Sequence, residues 1–210
     1  MFISLSSSYG GNACAIKQSI TSYSLLNSEN EKNQFFDWLV TSMKSINEVL
    51  EGKQILFDET NYEYPNFQNK TSINFLNFHH LTSHHDIEQI NDNSINETTE
   101  KYNRRYERLI NTIKNQSKLY FIRYCKNSTD IDENQINIFY NNIKNINNQL
   151  FFKFILISDF DNLIIPETLL TKENFVFINL NDYIDEDILN ETNSYCKIIK
   201  QYKCIFNIIK

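Results

Sequence analysis

Residues 1–16 read MFISLSSSYGGNACAI, and this stretch decides the fold class. Apolar and small residues alternate up to Ser6, a serine- and glycine-containing segment follows, and residues 13–16 resume a pattern typical of a helix. We therefore predict a strand, a loop and a helix, the arrangement by which α/β domains place a loop and free helix N–H groups at the carboxyl end of a strand. Gly10 and Gly11 are expected to adopt a backbone conformation that other residues resist, and either to bind substrate or only to make the turn.

The second half of the chain alternates between strand and helix patterns. Continuous apolar runs at residues 118–125, 151–158 and 174–180 are typical of buried parallel strands. Helical spacing before and between the first two runs is carried by Tyr102, Tyr106, Leu109, Ile110, Ile113, Ile136, Phe139, Ile143, Ile146 and Leu150. Such alternation predicts right-handed βαβ crossovers. We predict an α/β fold over residues 1–210: a single-domain three-layer sandwich whose mostly parallel sheet has helices on both faces and the opening strand at its centre.

Between these two regions the pattern is weaker. A helix is predicted to begin after Thr41 or Ser42 and to end at Gly52. Residues 53–78 are predicted to be irregular, with one short strand at 73–78. The tail from about Glu186 is predicted to form a closing helix.

Composition excludes several classes of protein. Among the 210 residues 41% are hydrophobic, enough for a real core, and the formal net charge of −6 argues against nucleic acid or an anionic membrane as a partner. No apolar run approaches the roughly 20 residues of a membrane helix, and the amino terminus lacks the pattern of a signal peptide. The four cysteines have no zinc-ligand spacing. We expect a cytoplasmic protein with reduced thiols and without a metal or cofactor.

All four histidines fall within seven residues, at His79, His80, His84 and His85. Two of them are four residues apart, but the acid of a helical H-E-x-x-H zinc motif is missing, so an exposed histidine-rich loop is expected rather than a metal site. We predict a site at the carboxyl ends of the strands, formed by residues 6–14, 36–38 and 79–86.

Several short motifs follow one another in a recognisable order within residues 1–125. They are Ser4-Leu5-Ser6-Ser7-Ser8, Phe36-Asp37-Trp38, His85-Asp86, Arg104-Arg105-Tyr106-Glu107-Arg108 and Phe121-Ile122-Arg123. This order resembles the DUF1796 family of papain-like cysteine peptidases. The resemblance implies a cysteine peptidase or related acyl hydrolase acting on a peptide or a small molecule. The family's nucleophile falls near Tyr9 or Gly10, and neither side chain attacks a carbonyl, so the nucleophile has either shifted or been lost together with the activity.

Candidate catalytic groups lie close to these motifs. Cys14 is the first candidate nucleophile, because a helix N-terminus and a nearby imidazolium both favour a thiolate, and Ser8 is the second. His85 is the candidate base, with Asp86 or Asp37 orienting its ring. The alternative for Cys14, a cysteine between two alanines, is a small buried apolar residue.

Arg104 and Arg105 leave two interpretations open. They bind a carboxylate or phosphate of the substrate, with Trp38 as a further substrate contact, or Arg105 reaches inward to pair with Asp37. The first interpretation supports a second function, a serine- or aspartate-based hydrolase or transferase with an anionic substrate. The third hypothesis is a non-catalytic interaction protein.

Overall fold

The computed structural model describes residues 1–8, 10–26, 33–55, 62–63, 71–75, 78–87, 91–183 and 206. Of residues 10–13, 24–26, 62–63, 71–74, 84–87 and 183 only the backbone is described. The strands are β1 Phe2–Ser7, β2 Leu39–Thr41, β3 Tyr62–Glu63, β4 Thr71–Asn74, β5 Leu81–Ile87, β6 Lys118–Tyr124, β7 Phe151–Ser158 and β8 Phe175–Asn179. The helices are α1 Gly10–Leu26, α2 Met43–Leu50, α3 Asp92–Asn115, α4 Glu133–Ile146 and α5 Glu167–Leu170.

The strands form one sheet in the order β3-β4-β5-β2-β1-β6-β7-β8. Strands β2, β1, β6, β7 and β8 run parallel, whereas the pairs β2–β5, β5–β4 and β4–β3 are antiparallel. The predicted mostly parallel sheet with a central opening strand is confirmed. The antiparallel strands occupy a region predicted as irregular structure and a histidine loop. That part of the interpretation was wrong, except that the short strand predicted at 73–78 overlaps β4 at residues 73–74.

Helices cover both faces of the sheet. Alternate residues of β6 join different cores: Phe121 packs with α2, α3 and α4, whereas Ile122 packs with α1. Both faces of this strand are therefore apolar, which explains its continuous apolar sequence. Phe206 lies in the α1 core, where its ring centroid is 4.5 Å from that of Phe2. The predicted closing helix otherwise lies outside the described residues.

Helix α2 begins and ends as predicted. Ser42 caps it, with Ser45 returning the second hydrogen bond of a capping box, and Gly52 follows its end at φ +83°. Helix α3 begins earlier than the apolar spacing indicated, because Asn91 and Ser94 form a second capping box. In the part of the chain that the structure describes, no helix is long and apolar enough to span a membrane.

The connections define a topological switch point between β1 and β6. From β1 the chain passes through α1 on one face to β2, and from β6 it passes through α4 on the other face to β7 on the opposite side. Crossovers that diverge in this way leave a crevice at the carboxyl ends of the two central strands, where open α/β sheets bind their ligands.

Candidate functional site

A buried arginine lies at the switch point. Arg123, the second-last residue of β6, is only 1% exposed. Its Nη1 donates to the Leu5 carbonyl at 3.2 Å and to Thr41 Oγ1 at 3.0 Å, and its Nη2 donates to the Thr41 carbonyl at 2.9 Å and to Ser8 Oγ at 3.1 Å. The guanidinium therefore joins β6, β1, β2 and the segment that leads from β1 to α1.

The charge of Arg123 has no carboxylate in contact with it among the described residues, and its buried Nε has no hydrogen-bond partner. Burial lowers the pKa of Arg123 to about 10, partly opposed by the fields of Cys125 and Asp130. The side chain is thus charged at neutral pH. A buried charge without an opposite charge costs several kcal/mol, which an anion bound at this position would offset.

Helix α1 begins next to this charge. Its first residues are Gly10 and Gly11, two positions beyond Ser8. The first turn of a helix has unpaired N–H groups and a partial positive charge, and glycine lets a ligand approach the backbone closely. The glycines lie inside the helix rather than in the loop that the sequence predicted.

Strained backbone is concentrated at the same edge of the sheet. Positive φ angles occur at Ser6 (+66°), Trp38 (+68°) and His80 (+54°), next to or within the neighbouring strands β1, β2 and β5. The Ser6 hydroxyl donates to the Leu39 carbonyl and holds β1 against β2. Such conformations cost roughly 1–3 kcal/mol each and collect at functional sites.

Cys14 lies in the second turn of α1 and is partly buried. Burial raises the pKa of its thiol, although a backbone hydrogen bond acts in the opposite direction. A nucleophilic cysteine requires the reverse shift. Burial also raises the pKa of Cys125 to about 12, and its Sγ donates to the Asn127 carbonyl at 2.9 Å, a structural contact.

Asp37 is buried with a different partner from the one expected. Its Oδ2 lies 2.9 Å from Lys17 Nζ and accepts from the Gln34 N–H at 2.6 Å. The cation that pairs with Asp37 is therefore Lys17 and not Arg105, so the predicted Asp37–Arg105 pair was wrong. Trp38 follows immediately and is partly exposed.

Arg104 and Arg105 contact their own helix, α3. Arg104 pairs with Glu100 at 3.5 Å on an exposed surface. The Arg105 guanidinium lies 5.3 Å from the centre of the Tyr102 ring. The charge at the switch point is therefore supplied by Arg123.

The histidines lie in and before β5, an antiparallel strand. His79 and His80 are exposed at its start, whereas His84, His85 and Asp86 lie within the strand. Thr82 is level with Val40 and hence with Ser7, so the backbone of His85 is three residues further toward the amino edge of the parallel strands, roughly 10 Å along the strand.

This register does not favour contact between His85 and Cys14 or Ser8. The side chains of residues 84–87 are outside the described part, so the proposed base and its orienting Asp86 stay predictions. Within the described ranges, no group of three His, Cys, Asp or Glu side chains forms a metal site.

Sequence reasoning missed Arg123 and Thr41 as site residues. The available signal was a charged residue inside the apolar run at 118–125, where a buried strand excludes unpaired charge. For Thr41 the sequence indicates only a helix cap.

No protein-family model matches the chain, and neither a curated protein nor a solved structure is significantly similar to it. The resemblance to the DUF1796 family stays a prediction.

Proposed function

We propose that this protein binds an anionic small molecule, through a phosphate or carboxylate group, at the β1/β6 switch point. Arg123 supplies the charge, Ser8 a hydroxyl and the first turn of α1 its backbone N–H groups. The observation that carries the proposal is the buried guanidinium of Arg123, which has four hydrogen bonds to neutral oxygens and no carboxylate in contact within the described structure.

A purely structural role explains these contacts less well. Arg123 does join three strands, but hydrogen bonds to neutral oxygens compensate its buried charge only in part, whereas Lys17 has the carboxylate of Asp37 at 2.9 Å. The position of Arg123, at the carboxyl ends of the two central strands, is also where this class of sheet binds ligands.

The test is a titration with inorganic phosphate, with binding followed by calorimetry and by the shift of Tm. We expect the wild-type protein to bind phosphate, and Arg123→Met to reduce the affinity at least tenfold. Arg105→Met is the matched control and should keep the wild-type affinity. Wild-type affinity in Arg123→Met, or no binding to the wild type, would overturn the proposal. Ser8→Ala, expected to weaken binding about fivefold, decides the matter if Arg123→Met fails to fold.

Hydrolysis of an acyl bond, implied by the family resemblance, is a second proposal for the same edge of the sheet. It is favoured by the position of Cys14 near the start of α1, one helical turn beyond Gly10. In that reaction the anion site would hold the carboxylate of a peptide or small acyl substrate. The raised pKa of the Cys14 thiol counts against this proposal.

A further inference from the structure

A second polar group lies at the carboxyl edge of the sheet, where β6 and β7 end. Tyr124, the last residue of β6, is level with Ser7 of β1 and has its ring fully buried in the α1 core. Its hydroxyl donates to Asp159 Oδ1 at 2.5 Å. Asp159 directly follows β7 and is partly exposed.

The position of Asp159 is fixed by contacts between two loops. Asn181 Nδ2 donates to the Asp159 carbonyl and to Asp161 Oδ1, both at 2.7 Å. The Phe160 N–H donates to Ser158 Oγ at 3.2 Å. The segment after β7 is therefore tied to the segment after β8. These contacts fix the backbone of Asp159 at the edge of the sheet, and the Tyr124 hydroxyl fixes its carboxylate.

We infer that Asp159 and Tyr124 are the second half of the anion site and receive a hydroxyl group of the same ligand. The inference rests on the proposed function and narrows its ligand to a hydroxylated phosphate ester, of the polyol or sugar phosphate class. An ionised carboxylate only accepts hydrogen bonds and has about four acceptor positions, so it binds hydroxyl groups well.

The geometry sets the length of this ligand. Strands β1 and β7 are separated by β6, so their axes are roughly 10 Å apart. A phosphate ester with a chain of about three to five carbons covers the gap that remains once the side chains are counted, since each bond spans roughly 1.5 Å.

The charge of Asp159 adds a specificity that Arg123 alone does not provide. A ligand with a second anionic group at its far end places that group against the carboxylate, and like charges at close range repel. The site should therefore prefer glycerol 3-phosphate to 3-phosphoglycerate, which has a carboxylate where the former has a hydroxyl.

The alternative ligand is a phosphate ester that has an apolar substituent in place of the hydroxyl group. A cavity of about 250 Å³, lined in part by Phe160 and Leu163, opens between the loops that follow β6 and β7. Phenyl phosphate tests this possibility, because its ring would fill such a cavity and would offer Asp159 no donor.

The experiment compares the affinities of inorganic phosphate, glycerol 3-phosphate, 3-phosphoglycerate and phenyl phosphate in the full chain by calorimetry. We expect glycerol 3-phosphate to bind at least tenfold more tightly than phosphate and fivefold more tightly than 3-phosphoglycerate. Asp159→Asn should abolish the second preference. Asp182→Asn, which changes an exposed carboxylate outside these contacts, is the matched control and should keep both preferences, and Tyr124→Phe, which retains the buried ring, should reduce the first.

The outcomes separate the two proposals. Phosphate binding without a preference for glycerol 3-phosphate, or a stronger preference for phenyl phosphate, would refute the inference and leave the anion site intact. Unchanged preferences in both Asp159→Asn and Tyr124→Phe would also refute it. Absence of phosphate binding in the wild type would remove the proposed function itself, and the inference with it.

Discussion

Lys17 and Arg123 are both cations removed from solvent, but their surroundings differ. Lys17 Nζ lies 2.9 Å from a buried carboxylate, that of Asp37, and the two side chains are 3% and 1% exposed. Arg123 is equally buried and has only neutral oxygens around its guanidinium in the described structure. The first arrangement is complete within the chain. In our proposal an anion bound at the carboxyl edge of the sheet completes the second.

The largest expected effect concerns the complete pair. Asp37→Ala removes the carboxylate that lies 2.9 Å from the buried Lys17 ammonium, and removal of one partner of a buried pair typically costs about 3–5 kcal/mol. We expect a loss of this size in the free energy of unfolding, measured by urea denaturation. The control is Glu100→Ala, which breaks the exposed pair with Arg104 and should cost less than about 1 kcal/mol.

A loss below about 1 kcal/mol for Asp37→Ala would show that the protein tolerates an unpaired buried cation easily. The contrast between Lys17 and Arg123 would then no longer indicate a ligand. Replacement of the whole pair, by Lys17→Met with Asp37→Leu, sharpens the comparison, because a well-packed apolar pair is expected to be close to neutral.

A smaller effect is expected at Arg123. In buffer without phosphate, Arg123→Met removes four hydrogen bonds but also an uncompensated charge, so we expect a loss below about 2 kcal/mol. Phosphate stabilises the wild type more than the variant. At 100 times the wild-type Kd, a tenfold loss of affinity widens the difference by about 1.3 kcal/mol and a complete loss by about 2.7 kcal/mol. Urea denaturation at both phosphate concentrations measures this change. A difference that does not depend on phosphate would make Arg123 a structural residue like Lys17.

The sequence predicted the parallel half of the sheet well because those strands are buried on both faces. The apolar run at 151–158 has the bounds of β7, and residues 118–125 extend only one residue beyond β6. The antiparallel strands β3, β4 and β5 are short and contain many polar residues. Their pairing is decided by tertiary contacts rather than by an alternating pattern. Sequence reasoning therefore found only part of β4, within the strand predicted at 73–78, and assigned the rest to irregular structure and loops.

The site predicted from the sequence and the proposed anion site share the carboxyl edge of the sheet and Ser8. They differ in the arginine, which the sequence interpretation placed at Arg104 and Arg105. A helical pattern locates an arginine near an apolar face, but it does not tell which charge the fold leaves without a partner. Arg123 belongs to the motif Phe121-Ile122-Arg123, but its more informative feature is that it places a charge within an apolar strand.

The smallest expected effect concerns Cys14. A Cys14 thiolate near the start of α1 would be an anion supplied by the protein itself, and a bound anionic ligand would then not be needed to balance the charge of Arg123. Burial raises the pKa of this thiol, so the thiolate fraction at a given pH is lower than in an unfolded chain. We expect iodoacetamide to modify Cys14 more slowly in the native protein than in urea at pH 6–7, with a rate that increases with pH, as measured by peptide mass spectrometry. Cys14→Ser should leave phosphate affinity within about twofold. Rapid native modification at pH 6 that is lost in His85→Ala would instead support the acyl hydrolase, with the positive charge at the switch point serving a nucleophile of the protein rather than a bound anion.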